Sequence, residues 1–237
     1  SLQTGQYDLN FAVVPNVDTR LVSYDIKSLM HYTDTPNLMV KDKNRPAISP
    51  RRPELMEYAT SMGNFELSFY DILMVNKMYK CDTKCANSPT RCANGGVPDV
   101  NDCSRCICPV AWGGRLCNEN PAGATVLTAQ ASPRVEQAKL GSGTDDRNEY
   151  TTKAYVINAP AGKRIRVTVD YIWTGDSTNE CPYGGLEINT KMSSLVNGVQ
   201  VCLNNASKRY ESEGNRMVLR VYNSFSTTSA NFSYSFF

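Results

Sequence analysis

Nine cysteines and one histidine carry most of the chemistry open to this chain of 237 residues. An imidazole can act as a general base or a metal ligand, and catalytic zinc centres commonly draw two or three of them from their protein. With His31 the sole imidazole, a multi-histidine zinc site built from these residues alone is excluded. His31 stands in the run Ser23-Tyr24-Asp25-x-x-Ser28-x-Met30-His31-Tyr32. Taken singly, Met30 and Tyr32 read as core or boundary residues, and His31 as a satisfied imidazole. The cysteines are uneven: Cys81, Cys85, Cys92, Cys103, Cys106, Cys108 and Cys117 form a central block, with Cys181 and Cys202 far downstream. Such a block is either a zinc knuckle or a stapled extracellular module. Zinc knuckles present two C-x2-C pairs across a spacer, whereas this block ends C-x-C-P-x-x-W-G-G-x-x-C from Cys106 to Cys117, so disulfides are expected. The turn residues Asn94-Gly95-Gly96 and Trp112-Gly113-Gly114 predict two tiny hairpins with almost no core, which need covalent staples.

Three kinds of element must position these groups. Ser68-Phe69-Tyr70-Asp71 is a helix start of capping-box type, and Ile72, Val75 and Tyr79 recur at helical spacing, which predicts a helix over about Ser68 to Tyr79. The stretch Pro36 to Met62, rich in proline and charge, reads mostly as loop. Beyond Asn120 the period changes to two. Ile165, Val167, Val169 and Tyr171 alternate with polar residues, as do Phe232, Tyr234 and Phe236, and Met217, Leu219 and Val221 alternate with Val218, Arg220 and Tyr222. With turns at Pro160 to Gly162, Gly184-Gly185 and Gly214-Asn215, the region reads as an antiparallel β-sandwich. The net charge of +2 and the lack of a long basic run give no footprint for nucleic acid. No apolar stretch approaches the roughly 20 residues of a membrane span. The start at Ser1 is polar, with neither the basic nor the apolar region of a signal peptide; a processed or partial chain is expected.

Two segments of the first third resemble the astacin zinc metalloendopeptidases, which are metzincins. Ser23 to Tyr32 resembles their Met-turn, approached by Asn10-Phe11, and Leu67-Ser68-x-x-Asp71-Ile72-x-x-x-Asn76-x-x-Tyr79-x-Cys81 resembles the closing helix of their catalytic domain. The resemblance implies that Met30 forms the floor under the metal. It implies that Tyr32 is an additional zinc ligand that can leave the metal and stabilise the oxyanion. It also implies that His31 belongs to the Met-turn rather than to the zinc-binding histidines. The motif H-E-x-x-H-x-x-G-x-x-H, which supplies the three zinc histidines and the Glu base, is absent from the 237 residues. The sequence is therefore expected to begin after the zinc helix, and this chain alone to be inactive.

The block from Cys85 to Cys117, with its C-x-C-P ending, resembles an EGF-like module. The resemblance implies the pairs Cys85 to Cys103, Cys92 to Cys106 and Cys108 to Cys117, the last most directly, because Cys103 and Cys106 are closer than the family's usual spacing. Tyr155-Val156-Ile157-Asn158-Ala159-Pro160-x-Gly162, then Cys181-x2-Gly184-Gly185-Leu186-Glu187-Ile188 and Cys202, resembles a CUB domain and implies a Cys181 to Cys202 bond. The family pairs a cysteine at the place of Cys81 with one near the front of the catalytic domain, so Cys81 is expected to be unpaired here. The sequons at Asn205 and Asn231 mark candidate glycosylation sites.

The expected architecture is multidomain: the C-terminal portion of an α+β metzincin protease domain over 1–81, a small disulfide-rich EGF-like module over 82–120, and a CUB-like antiparallel β-sandwich over 121–237. The expected function of the parent is that of a secreted zinc metalloendopeptidase cleaving internal bonds of extracellular proteins, with a protein partner for the CUB-like domain. The alternative is a secreted, non-catalytic adhesion or targeting protein built on the EGF-like and CUB-like modules.

Overall fold

The structure is a computed structural model that describes residues 5, 11–15, 17, 21–34, 41–42, 46–59, 61–143, 146–175, 181–191, 193, 196–203 and 208–237. In the first third a 3-10 turn at Pro53–Tyr58 precedes the helix α1, Phe69–Met78. Ser68 caps the helix, as its sequence predicts, but the apolar stripe behaves differently from expectation. Val75 and Tyr79 are exposed, and the helix buries Phe69 and Asn76 instead. Lys80, in the left-handed region at φ 56°, turns the chain out of the helix into a second 3-10 turn at Cys81–Cys85.

The cysteine block holds one hairpin, β1 (Val97–Asp99) with β2 (Asp102–Ile107), and an isolated bridge between Gly113 and Glu119. Disulfides join Cys85 to Cys103, Cys92 to Cys106 and Cys108 to Cys117. Gly96 lies so close to the Cys117 sulfur, 2.5 Å from where a Cβ would stand, that no side chain fits there.

The rest is a two-sheet sandwich. Its strands are β3 (Thr125–Thr128), β4 (Arg134–Leu140), β5 (Asp146–Asn158), β6 (Ile165–Trp173), β7 (Gly184–Asn189), β8 (Val199–Val201), β9 (Lys208–Glu211), β10 (Arg216–Phe225) and β11 (Thr228–Phe236). One sheet runs β3-β5-β10-β7-β8 and the other β4-β11-β6-β9. All pairs are antiparallel except β3 with β5, a departure from the all-antiparallel expectation. β4 crosses to the opposite sheet between them, so the chain returns to the first sheet running in its original direction. Ile165, Val167 and Val169 of β6 and Ala230 and Phe232 of β11 face inward against Tyr155, Leu186, Ile188 and Leu219, all essentially inaccessible. The Cys181–Cys202 disulfide closes one end, packed on Tyr222.

β10 departs from alternation, as do β7 and β8, which are buried at every position. Met217, Leu219 and Val221 point into the core, yet Val218 and Tyr222 on its other face are also buried. Both preceding segments sit on that outer face. Val218 and Val156 pack against Ala111 and Trp112 of the cysteine block. The Arg216 guanidinium lies 4.0 Å from the Trp112 ring and donates to the Ala111 carbonyl at 2.9 Å. Farther along, Ile26, Tyr58 and Met62 join the apolar cluster of the sandwich. Across β10, β7 and β8 the register aligns Arg220 with Glu187 and Glu187 with Gln200, a polar row covered by residues of the first third.

Candidate functional site

The turn around His31 is built outward from a carboxylate. The Ser68 hydroxyl oxygen accepts from the Asp71 backbone N–H at 2.9 Å, and the Asp71 carboxylate accepts from the Ser68 N–H at 2.9 Å. That reciprocal pair satisfies two of the donors orphaned at a helix start. Asp71 then reaches across to the turn. Its Oδ1 accepts from the Ser28 hydroxyl at 2.5 Å and its Oδ2 from the Leu29 N–H at 2.9 Å. Asp25 closes the other side, where Oδ1 accepts from the Lys27 N–H at 2.9 Å and Oδ2 from the Ser68 hydroxyl at 2.6 Å. The Tyr24-Asp25 run and the Ser68 to Asp71 run are therefore one hydrogen-bonded unit.

The two carboxylates titrate in opposite directions. Burial is the largest influence on each and pushes it up. For Asp71 the bonds from Ser28, Ser68 and Leu29 together outweigh burial and hold the carboxyl below its ordinary range. For Asp25 the bonds from Ser68 and Lys27 offset burial only in part, and the carboxyl stays raised. Asp71 is thus the firmly ionised anchor of the pair.

His31 is a strut of this turn. Its Nδ1 lies 2.5 Å from the Tyr32 carbonyl oxygen, which can only accept, so Nδ1 carries a proton. Nε2 is hydrogen-bonded to the Tyr24 hydroxyl, and the two rings meet edge to face at 5.6 Å. Burial and then the Asp25 charge raise the Tyr24 phenol, which keeps it a donor to that nitrogen.

Met30 is 85% exposed and Tyr32 42%, and the Phe11 ring lies edge-on to Tyr32 at 5.8 Å. A cavity of about 450 Å³ opens beside the turn, lined by Val22, Tyr24, Met30, His31, Tyr70 and Met74. Tyr32 lies outside that lining, so the structure places Met30 and Tyr32 on one turn without gathering them into one cavity. Cys81 is half-buried with a free thiol. Asn231 lies half-buried on the outward face of β11; Asn205 and Asn10 fall outside the described residues.

A zinc centre needs about four N, O or S ligands with good geometry. The turn offers the phenols of Tyr24 and Tyr32, the first bonded to His31, the Asp25 carboxylate, held by Lys27 and Ser68, and an imidazole whose two nitrogens are engaged. Among the described residues no group of three or more His, Cys, Asp or Glu converges. The residues present do not by themselves fit a zinc site.

Lys27 is the site residue that sequence reasoning missed. It is fully buried beneath the turn, donating from Nζ to the Ser61 carbonyl and to Gln200 Oε1 of β8 at 2.9 Å. Burial pushes its ammonium down to about 7, against the opposing pull of the Glu187 and Asp25 charges. A lysine in a mixed polar run carries no sign of burial, because its cover comes from a strand far away in sequence.

Residues 3–80 match the family model Astacin (Peptidase family M12A). Zinc metalloproteinase nas-16 of Caenorhabditis elegans is 29% identical over 235 residues, covering 97% of this chain and 49% of that protein. Zinc metalloproteinase nas-29 of the same organism is 32% identical over 238 residues, covering 96% and 43%. The chain thus spans about half the length of the curated relatives it matches. Among solved structures it is similar to the CUB1-EGF-CUB2 domains of rat MASP-1, at 13% identity and a TM-score of 0.35, covering 48% of this chain and 42% of that one. The corresponding human MASP-1/3 domains give 14% identity and a TM-score of 0.35, covering 65% and 57%. With the turn and its capping helix both inside the matched span, residues 3–80 belong to the astacin family of peptidases.

Proposed function

We propose that this chain is part of a secreted astacin-type zinc metalloendopeptidase, acting on internal peptide bonds of extracellular proteins. The observation that carries this reading is the coupling of the Ser23 to Tyr32 turn to the capped helix through Asp25 and Asp71. That coupling explains physically why the two family motifs occur together. The relatives named above, all zinc metalloproteinases, support it over nearly the whole chain. Residues 1–81 are read as the end of the protease domain, 82–120 as an EGF-like module and 121–237 as a CUB-like partner-binding module. Secretion is supported by four disulfides, and by the absence, among the described residues, of a helix long and apolar enough to cross a membrane. Asn231 would carry a glycan.

Within the parent, Met30 would underlie the metal. Tyr32, an additional zinc ligand in the resting enzyme, would donate its phenol O–H to the oxyanion of the tetrahedral intermediate. A preorganised donor aimed where charge develops contributes about 10²- to 10³-fold to kcat. The zinc-binding motif lies outside these 237 residues, so the chain alone should neither retain zinc nor cleave peptides. The test is elemental analysis and a quenched protein substrate, on this chain and on a longer form carrying the histidine motif. Zinc and chelator-sensitive cleavage are expected in the longer form alone. Turnover with stoichiometric zinc in this chain would refute the assignment of the motif elsewhere, and a longer form that binds zinc without cleaving would favour the adhesion reading.

A further inference from the structure

The outward row Arg220, Glu187 and Gln200 would be solvated on an ordinary sandwich face. Here Glu187 is completely buried and Gln200 is 7% exposed, and each member of the row has a partner above or beside it. Arg220 donates to Glu66 at 2.6 Å and to Glu187 at 2.9 Å. The second Glu187 oxygen accepts from the Gly198 N–H at 2.8 Å. Gln200 accepts from Lys27 Nζ at 2.9 Å and donates from Nε2 to Asn64 at 3.1 Å. Beside the row, Glu57 accepts from Thr190 at 3.1 Å and pairs with Lys191 at 3.3 Å.

Lys27 is the member of this network that lies inside the turn. Its backbone N–H is held by Asp25, while its side chain runs through the contact to β8 and also ties down the Ser61 carbonyl. Two residues beyond Ser61 in the chain, the Gly63 N–H donates to the Ile26 carbonyl at 2.9 Å. The turn is therefore fastened on opposite sides: to the helix by Asp71 and to the sandwich by Lys27.

We propose that the sandwich is a brace for the turn that carries Met30 and Tyr32, and that Lys27, seated on Gln200, is a positioning residue for the reaction assigned above. Its bearing on catalysis rests on that assignment; the mechanical link does not. Removing Gln200 leaves the buried Lys27 amine with the Ser61 carbonyl but one acceptor short, and an under-satisfied buried donor costs more than the lost bond itself is worth. The turn then has to open or tilt to let Lys27 reach water.

The amides of Lys27 to His31 report this directly, because they donate to Asp25, Asp71 and Ser28 within the turn. Hydrogen exchange is to be measured on the whole chain and on Gln200→Ala, Gln200→Glu and Val167→Ala. Gln200→Ala should raise exchange across residues 27–31 by about tenfold, and Gln200→Glu, which restores an acceptor for Lys27, should return it to the original rate. Val167→Ala, which weakens the sandwich core on the opposite sheet, should leave these amides unchanged even as the sandwich loses stability. Unchanged exchange at 27–31 in Gln200→Ala, or an equal rise in Val167→Ala, would overturn the brace. Because the readout is exchange and not cleavage, failure of the brace and failure of the peptidase assignment give different results.

Discussion

Burial lowers the Lys27 ammonium from its ordinary 10.5 to about 7, so between those values the unfolded chain holds a proton that the folded chain has released. Stability rises with pH wherever the unfolded state binds more protons. The Lys27 contribution therefore increases from about pH 7 toward 10.5, with a slope of at most about 1.4 kcal/mol per pH unit. The neutral amine still has hydrogens for both Ser61 and Gln200, so the contacts survive deprotonation. Denaturant titrations at pH 7, 8 and 9 should show the rise, and Lys27→Met should flatten it, leaving only what other groups contribute. Equal slopes in the two proteins would show that this lysine is charged in the folded state.

At the level of elements, the capped helix and the inward-facing alternation of β11, and of β6 as far as Val169, were legible because their causes are local: a serine and an aspartate three apart, and a period of two. Beyond Val169 a register shift against β11 leaves Tyr171 41% exposed and turns Ile172 inward, contrary to the expected alternation. β10 was not legible. Met217, Leu219 and Val221 announced a half-buried strand, and nothing in the sequence says that Val218 is covered by the cysteine block and Tyr222 by the Cys181–Cys202 disulfide. In the candidate site, Tyr24, Asp25, Ser68 and Asp71 were legible as motifs and Lys27 was not, since its acceptor lies on another element. The cysteine block also has little core of its own and depends on its staples. A thiol reagent should label one cysteine, Cys81, once the chain is denatured without reductant, and the other eight after reduction; mass mapping distinguishes them. Labelling of any cysteine within 85–117 before reduction would contradict the three bonds found there.

For the molecule as a whole, the outer face of the five-stranded sheet along β10, β7 and β8 is an internal interface rather than a surface. A fragment comprising 121–237 would expose Val156 and Val218, which Ala111 and Trp112 cover, and leave Arg220 without Glu66. It should bind a hydrophobic dye and melt below the sandwich in the whole chain, by several degrees for each kcal/mol lost. A fragment with the same Tm and no dye binding would mean that this contact adds little to stability.

The Lys27–Gln200 contact joins residues 173 positions apart, and that separation has a consequence in time. A nascent chain lengthens by about 5–20 residues per second, so the turn leaves the ribosome roughly 10–35 seconds before the strand that supports it exists. During that interval Asp71 can already organise the turn, because helix and turn are near neighbours in sequence. Lys27, fully charged and solvated until then, is sealed only when β8 arrives. Maturation of the turn is accordingly a late event in biosynthesis, timed by a strand made 173 residues later.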